Sequence, residues 1–229
     1  MNREGRFIVK LPYRQVIVGS GDPITEENQV EFHLLYSGEL HVDGDRKEKH
    51  GIRKAFHPQL RRLWLTDRLL RMKARNAGAG AYVDSDEDVI PRGFAAMGSN
   101  WNRNGFNFVP LVTSGVVSRC SLDILFLRVE EKNYILQGGD IDGRIKTLFD
   151  GLRMIRDANE LPRGTKPEED EKPFFCLLED DKLISEVRVN ADQLLQLPGT
   201  TVVNKHDVYL QITVQLNYPQ LEVWIPDGT

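Results

Sequence analysis

Cysteine is scarce in the 229-residue chain: Cys120 and Cys176 stand far apart and form no CxxC pair. That argues against a disulfide framework or a structural zinc site. A reducing, cytoplasmic compartment is the simplest expectation. No apolar run reaches the ~18 residues of a membrane span. The first residues, MNREGRFIVKLPY, carry no apolar signal-peptide core, so neither export nor a membrane partner is expected. No GxxxxGK[ST] or GxGxxG motif occurs, which leaves a nucleotide cofactor unsupported, and none of the five histidines forms an HExxH-like zinc pair. Repeats and low-complexity tracts are also missing, and no Ser/His/Asp order can be argued from spacing.

Charge of one sign does not dominate. The net charge is −4 with a pI near 5.8, which argues against whole-surface attraction to nucleic acid. The distribution is uneven. Residues 1–139 carry 20 basic and 17 acidic side chains, and residues 140–229 carry 10 and 17. The steepest local excess is +7 across 53–75, where Arg53, Lys54, Arg61, Arg62, Arg68, Arg71, Lys73 and Arg75 face Asp67 alone. Such a stretch is either a solvated helix face or a set of phosphate contacts, and the latter would make binding fall steeply with salt.

A length of 229 residues suits one large domain, able to bury a core without staples. Arg6–Lys10, Gln15–Val18 and Gln29–Tyr36 read as strands, and Asp43–Lys49 as a polar loop. Pro58 suits the first turn of a helix running to Asn76, with Leu60, Leu63, Trp64 and Leu70 at helical spacing. His57, just before it, reads as a cap or structural residue. Ala77–Gly80 and Asp84–Asp88 mark a loop, and Asn100–Phe108 reads as irregular surface. There Trp101, Phe106 and Phe108 either anchor the loop or stack on unpaired bases. Ser118–Glu130 predicts a strand with Leu122, Ile124, Phe126 and Arg128 on one side, and Gly138–Gly139 a turn. Ile141–Ile155 predicts a helix and Pro162–Pro173 a charged loop. Leu183–Asn190 and Val208–Leu216 predict strands, with a short helix at Asp192–Leu197. This order predicts an α+β (mixed α/β) domain, a mixed β-sheet with flanking helices.

Two segments carry candidate chemistry. In GDIDGRIKTLFDGL, Ile141, Ile145, Leu148, Phe149, Leu152 and Ile155 form one helix face. Asp142, Lys146 and Asp150 form the neighbouring stripe at i, i+4, i+8, with Asp140 at the entry turn. An ordinary account is available: Asp caps a helix and offsets its dipole, and Asp142–Lys146 is a surface pair. In FFCLLEDDKLISEVRV, an apolar run breaks at Glu179, Asp180 and Asp181 and then resumes as a strand. An acidic hairpin turn is the ordinary account of that segment. Together the segments offer carboxylate oxygens from separated parts of the chain, which a hard divalent cation takes up. A lysine one turn from Asp142 could then meet a phosphate.

DIDGRIKTLFDGL followed by LEDDKLISEVRV resembles the RusA-like Holliday junction resolvases, whose pattern is Asp-x-Asp-Asn-x-x-Lys-x-x-x-Asp-x-Leu, then Asp-Asp-x-x-Val and a strand. The match spans about residues 120–216 and sets Asp140, Asp142, Lys146, Asp150, Asp180 and Asp181 on the family's positions. The resemblance implies that Asp140, Asp142 and Asp181 bind Mg²⁺ (or Mn²⁺), helped by Asp180, and that Lys146 is essential. It implies a homodimeric endonuclease that nicks branched DNA at four-way junctions in recombination and repair. It also implies a core at 116–216 within a single 1–229 domain, with 1–115 as an extension holding the basic helix 58–76. Within that helix Arg61, Arg62, Arg68, Arg71, Lys73 and Arg75 are the expected phosphate contacts. Three departures stand out: Gly143 replaces the family's Asn, Gln137–Gly139 replaces its basic run, and the inter-motif loop is long and acidic. The alternative expectation is a non-cleaving scaffold of the same fold that binds nucleic acid or protein.

Overall fold

The computed structural model describes residues 30–79, 85–115, 119–128, 140–195 and 206–217. The candidate strands at 6–10 and 15–18 and the Gly138–Gly139 turn lie outside them. Seven strands and four α-helices form among the described residues. They are β1 (Glu31–Glu39), α1 (Arg46–Thr66), α2 (Arg68–Gly78), α3 (Asp86–Ser99), β2 (Asn102–Arg103), β3 (Phe106–Val112), β4 (Arg119–Arg128), α4 (Asp140–Leu152), β5 (Phe174–Leu178), β6 (Ile184–Gln193) and β7 (Asp207–Asn217). The expected α+β class is borne out. One sheet has the order β1-β7-β4-β6, and a smaller one the order β2-β3-β5. In the larger sheet β7 runs antiparallel to β1 and β4, whereas β4 and β6 are parallel. The smaller sheet pairs β3 with β5 in parallel.

The basic segment folds as two helices rather than one, and the first begins twelve residues before Pro58. Asp45, read as loop, is the N-cap of α1, where its carboxylate accepts the Glu48 N–H at 2.8 Å. Pro58 therefore lies inside α1 and leaves the Lys54 carbonyl without its helical donor, a cost of ~3 kcal/mol. Burial of Ile52, Phe56, Leu60 and Trp64 on the same helix outweighs it. Asp67 makes the break. Its N–H closes α1 on the Leu63 carbonyl, and its side chain accepts the Leu69 and Leu70 N–H groups, both at 2.9 Å. The single acid in the basic run is thus a cap. Asp86, Glu87 and Asp88, also read as loop, form the first turn of α3, where negative charge suits the helix dipole.

Aromatic residues expected at the surface are interior. Phe106 and Phe108 lie on β3 at 0% and 1% exposure. They meet Phe174 at centroid distances of 5.7 and 5.4 Å in a second core with Met154, Ile155 and Leu161. Base stacking by these two rings is therefore excluded. β5 reads as an unbroken apolar run, and β3 as one interrupted only at the exposed Asn107, because the two are buried as a parallel pair. His57 is no cap: it sits mid-helix, accepts the Phe175 N–H at Nδ1 (2.9 Å) and donates from Nε2 to the Asp170 carbonyl (2.9 Å). Phe174–Val189 is not a hairpin, since β5 and β6 belong to different sheets. Asp192 and Gln193 continue β6 rather than starting a helix.

The main core draws on both halves of the chain, from Leu34, Phe56 and Trp64 to Ile124, Leu148 and Ile212. α2 and α3 approach through glycines: a Cβ on Gly93 would strike the Ala74 backbone, and one on Gly78 the Val89 carbonyl. Gly51, on α1, faces open space. Gly93→Ala is therefore expected to destabilise the protein by roughly 1–3 kcal/mol through overpacking, and Gly51→Ala to stabilise it by about 0.5–1 kcal/mol through helix propensity. Urea denaturation reads both, with unchanged slopes.

Candidate metal and nucleic-acid site

Leaving β5, the chain turns through a short 3-10 segment, Asp181–Leu183, before entering β6. Asp180 caps that turn by accepting the Lys182 N–H at 3.0 Å. The bend sets the Asp180 and Asp181 carboxyls side by side and half-exposed. Arg156 Nη2 spans them, 3.1 Å from Asp181 Oδ1 and 3.5 Å from Asp180 Oδ2. The Lys182 N–H, chiefly, holds Asp180 below the usual carboxylate range. Burial, and then the neighbouring Asp180 carboxyl, push Asp181 above it. Two adjoining carboxyls favour sharing one proton or binding a cation. Arg156 is a cation already standing there. This donor set fits Mg²⁺, which is commonly held by one or two carboxylates with water or phosphate completing its shell.

α4 presents the other expected residues. Asp140 is its first residue, and that side chain lies outside the described set. Asp142 and Lys146 are exposed on the first two turns. Among the described residues neither makes an ion pair, so the expected Asp142–Lys146 bond is not formed. They sit at the start of α4, whereas Arg156, the partner of Asp180 and Asp181, follows its end. Among the described residues no three His, Cys, Asp or Glu side chains gather. Gly143 has a packing reason: a Cβ there would run into Val42. Helix α4 stops at Leu152, so Ile155 leaves the predicted face and joins the second core.

Asp150 does not share the chemistry of that stripe. It pairs with Lys49 at 2.8 Å and with Arg153 at 2.7 Å. Arg153 also grips Glu160, with both contacts at 2.9 Å. Beneath them Arg53, 1% exposed, donates to the Asp150 carbonyl at 2.6 Å and to the Arg153 carbonyl at 3.0 Å. Burial pushes the Arg53 guanidinium down to about 10. These side chains border an open cleft of about 400 Å³ lined by Gly44, Asp45, Arg46, Lys49, Asp150, Arg153, Asn159 and Glu160. The sequence reading missed this network. Its only local sign is the i,i+3 spacing of Asp150 and Arg153, which a helix surface pair also shows.

The basic stretch divides four ways. Arg53 turns inward, and Lys54, itself exposed, pairs with Glu168 and with the buried Glu171. Arg71 and Arg75 both bind Asp86. Lys73 lies over the Trp64 ring, 5.4 Å from its centroid, and burial lowers its ammonium to about 8. Arg61, Arg62 and Arg68 are exposed and form no ion pair with a described residue. Exposed Leu65 and Met72 belong to the same two helices. Trp101 is only partly buried, against the second core. Both cysteines are buried free thiols.

Comparison of the chain with protein-family models, curated proteins and solved structures found no match to any of them.

Burial alone would raise the Asp150 carboxyl, but Lys49 and Arg153 outweigh it and hold it below the ordinary value. A depressed folded pKa stabilises the protein above the unfolded value of about 3.9, and the gain is lost as pH falls through the folded value. Asp150→Asn is expected to cost roughly 3 kcal/mol at pH 7, and the gap to wild type should narrow toward pH 3. Urea denaturation at the two pH values measures it.

Proposed function

We propose that the protein is a Mg²⁺-dependent, structure-selective DNA endonuclease acting on four-way junctions, as its resemblance to the RusA-like resolvases implies. The observation that carries this reading is the Asp180–Asp181 pair, turned outward between two sheets with a cation already spanning it. A divalent ion held there supplies positive charge against a phosphodiester in its transition state. Asp140 and Asp142 are the further carboxylates for such an ion. Lys146 offers a mobile ammonium to a phosphate oxygen, and Arg61, Arg62 and Arg68 offer guanidiniums to the backbone of branched DNA. A homodimer would set two such sites on opposed strands. A non-cleaving binder is the second reading, favoured by the net charge of −4 and by Gln137–Gly139, which stands where the family carries a basic run.

A labelled mobile four-way junction with Mg²⁺ or Mn²⁺, run beside linear duplex, separates these readings. Paired nicks are expected in the junction alone. Asp142→Asn and Asp181→Asn should each lower cleavage by about a hundredfold or more while binding persists. Binding without cleavage under every metal condition would select the scaffold. The salt dependence of binding tests the basic face: replacing Arg61, Arg62 or Arg68 by Gln should each flatten the log–log slope by about one. Arg71→Gln and Arg75→Gln should change it little, because Asp86 already engages both.

A further inference from the structure

The Arg156 guanidinium holds the Asp180–Asp181 pair with one nitrogen only, Nη2, at 3.1 and 3.5 Å. Among the described residues its Nε and Nη1 have no partner, and the side chain is 52% exposed. A guanidinium that fastens a carboxylate for good grips it with two parallel donors. Arg153, three residues earlier, does so on Glu160, with both contacts at 2.9 Å and its side chain 4% exposed. Arg156 instead touches its acids loosely and leaves most of its fork unused.

The Arg156 backbone, by contrast, is held in place. The Arg153–Leu178 bridge is parallel, and three residues further along each chain stand Arg156 and Asp181. Ile155 is buried in the second core, and the Arg156 N–H donates to Glu160 Oε2 at 3.4 Å. The side chain is thus the part that can move. At equal distance a divalent cation attracts a carboxylate twice as strongly as a guanidinium does, and it repels the guanidinium. Once displaced, Arg156 offers a planar fork of donors that matches a phosphate.

We propose that Arg156 is a metal-released phosphate ligand: it neutralises Asp180 and Asp181 while no divalent ion is bound, and turns to a backbone phosphate of the DNA when one displaces it. The inference rests on the reading of that pair as the divalent-cation site. It adds Arg156 to Lys146 as a group that meets the phosphodiester.

Two measurements on the full chain test it without cleavage. Mn²⁺ binding followed by electron paramagnetic resonance reads the competition. Arg156→Gln is expected to tighten it about two- to fivefold, the worth of an exposed ion pair. Arg156→Lys, which keeps the charge, should stay near wild type. Binding of a labelled four-way junction over a salt series reads the phosphate contact. In Ca²⁺ the log–log slope of Arg156→Gln should be flatter than that of wild type by about one, and in EDTA the two slopes should coincide. Circular dichroism confirms that both variants are folded. Unchanged Mn²⁺ affinity in Arg156→Gln overturns the proposal. So does a slope difference that is present in EDTA or absent in Ca²⁺. Junction cleavage by wild type beside any of these results leaves the endonuclease reading standing. Both arms as expected without cleavage would sink that reading alone, and a wild type that binds no Mn²⁺ overturns both.

Discussion

The Arg153 guanidinium ties together the parts on which the candidate site depends. It forks between Asp150 on the last turn of α4 and Glu160 beyond it. At the same point Arg153 bridges to Leu178, and the Met154 N–H donates to the Leu178 carbonyl at 2.9 Å. The helix exit is therefore pinned to the end of β5. Arg53 completes the joint from α1: its donors take up the carbonyls of Asp150 and Arg153, which a helix end leaves without intrahelical partners. A buried guanidinium carries a high desolvation cost, and several good hydrogen bonds are what offset it. Breaking one partner leaves the others charged and buried, so these residues act as a unit.

This joint is what brings Arg156 to Asp180 and Asp181. The arginine follows the fixed exit of α4, and the two aspartates follow the fixed end of β5. Because β5 lies in the smaller sheet and β6 in the larger, the chain must change sheets between them. The corner it makes is short and capped by its own aspartate, so both carboxyls face outward. Charged groups tolerate such a corner because solvent reaches it, and a ligand can too.

The basic helices and the sheet edges illustrate one further point: exposure alone does not say what a surface is for. Eight cations stand in one stretch, yet five are engaged by carboxylates or carbonyls of other elements, by Asp86 or by an aromatic ring. The β1 edge is likewise closed by Gln59 of α1, whose side chain binds the Leu35 N–H and carbonyl. In each case a neighbouring element decides, and that neighbour is distant in sequence.

Local patterns were legible wherever one neighbour or one period sufficed. The strand face of Leu122, Ile124, Phe126 and Arg128 is buried as its alternation predicts. The apolar stripe of α4 through Ile145, Leu148 and Leu152 is buried as its helical spacing predicts, and the Asp180–Asp181 break between apolar runs is a turn. The start of α1 was not legible, because a proline that usually opens a helix lies inside one whose packing outweighs its cost. Nor was the burial of Phe106 and Phe108, since Asn and Gly around them resemble surface until β5 supplies Phe174. Residue type and spacing thus determined the α+β class, the α4 stripe and the acidic corner. Tertiary structure decided which charges remain free: Asp150 and Arg53 became internal fasteners and Asp67 a cap, because the groups that claim them come from other elements of the fold.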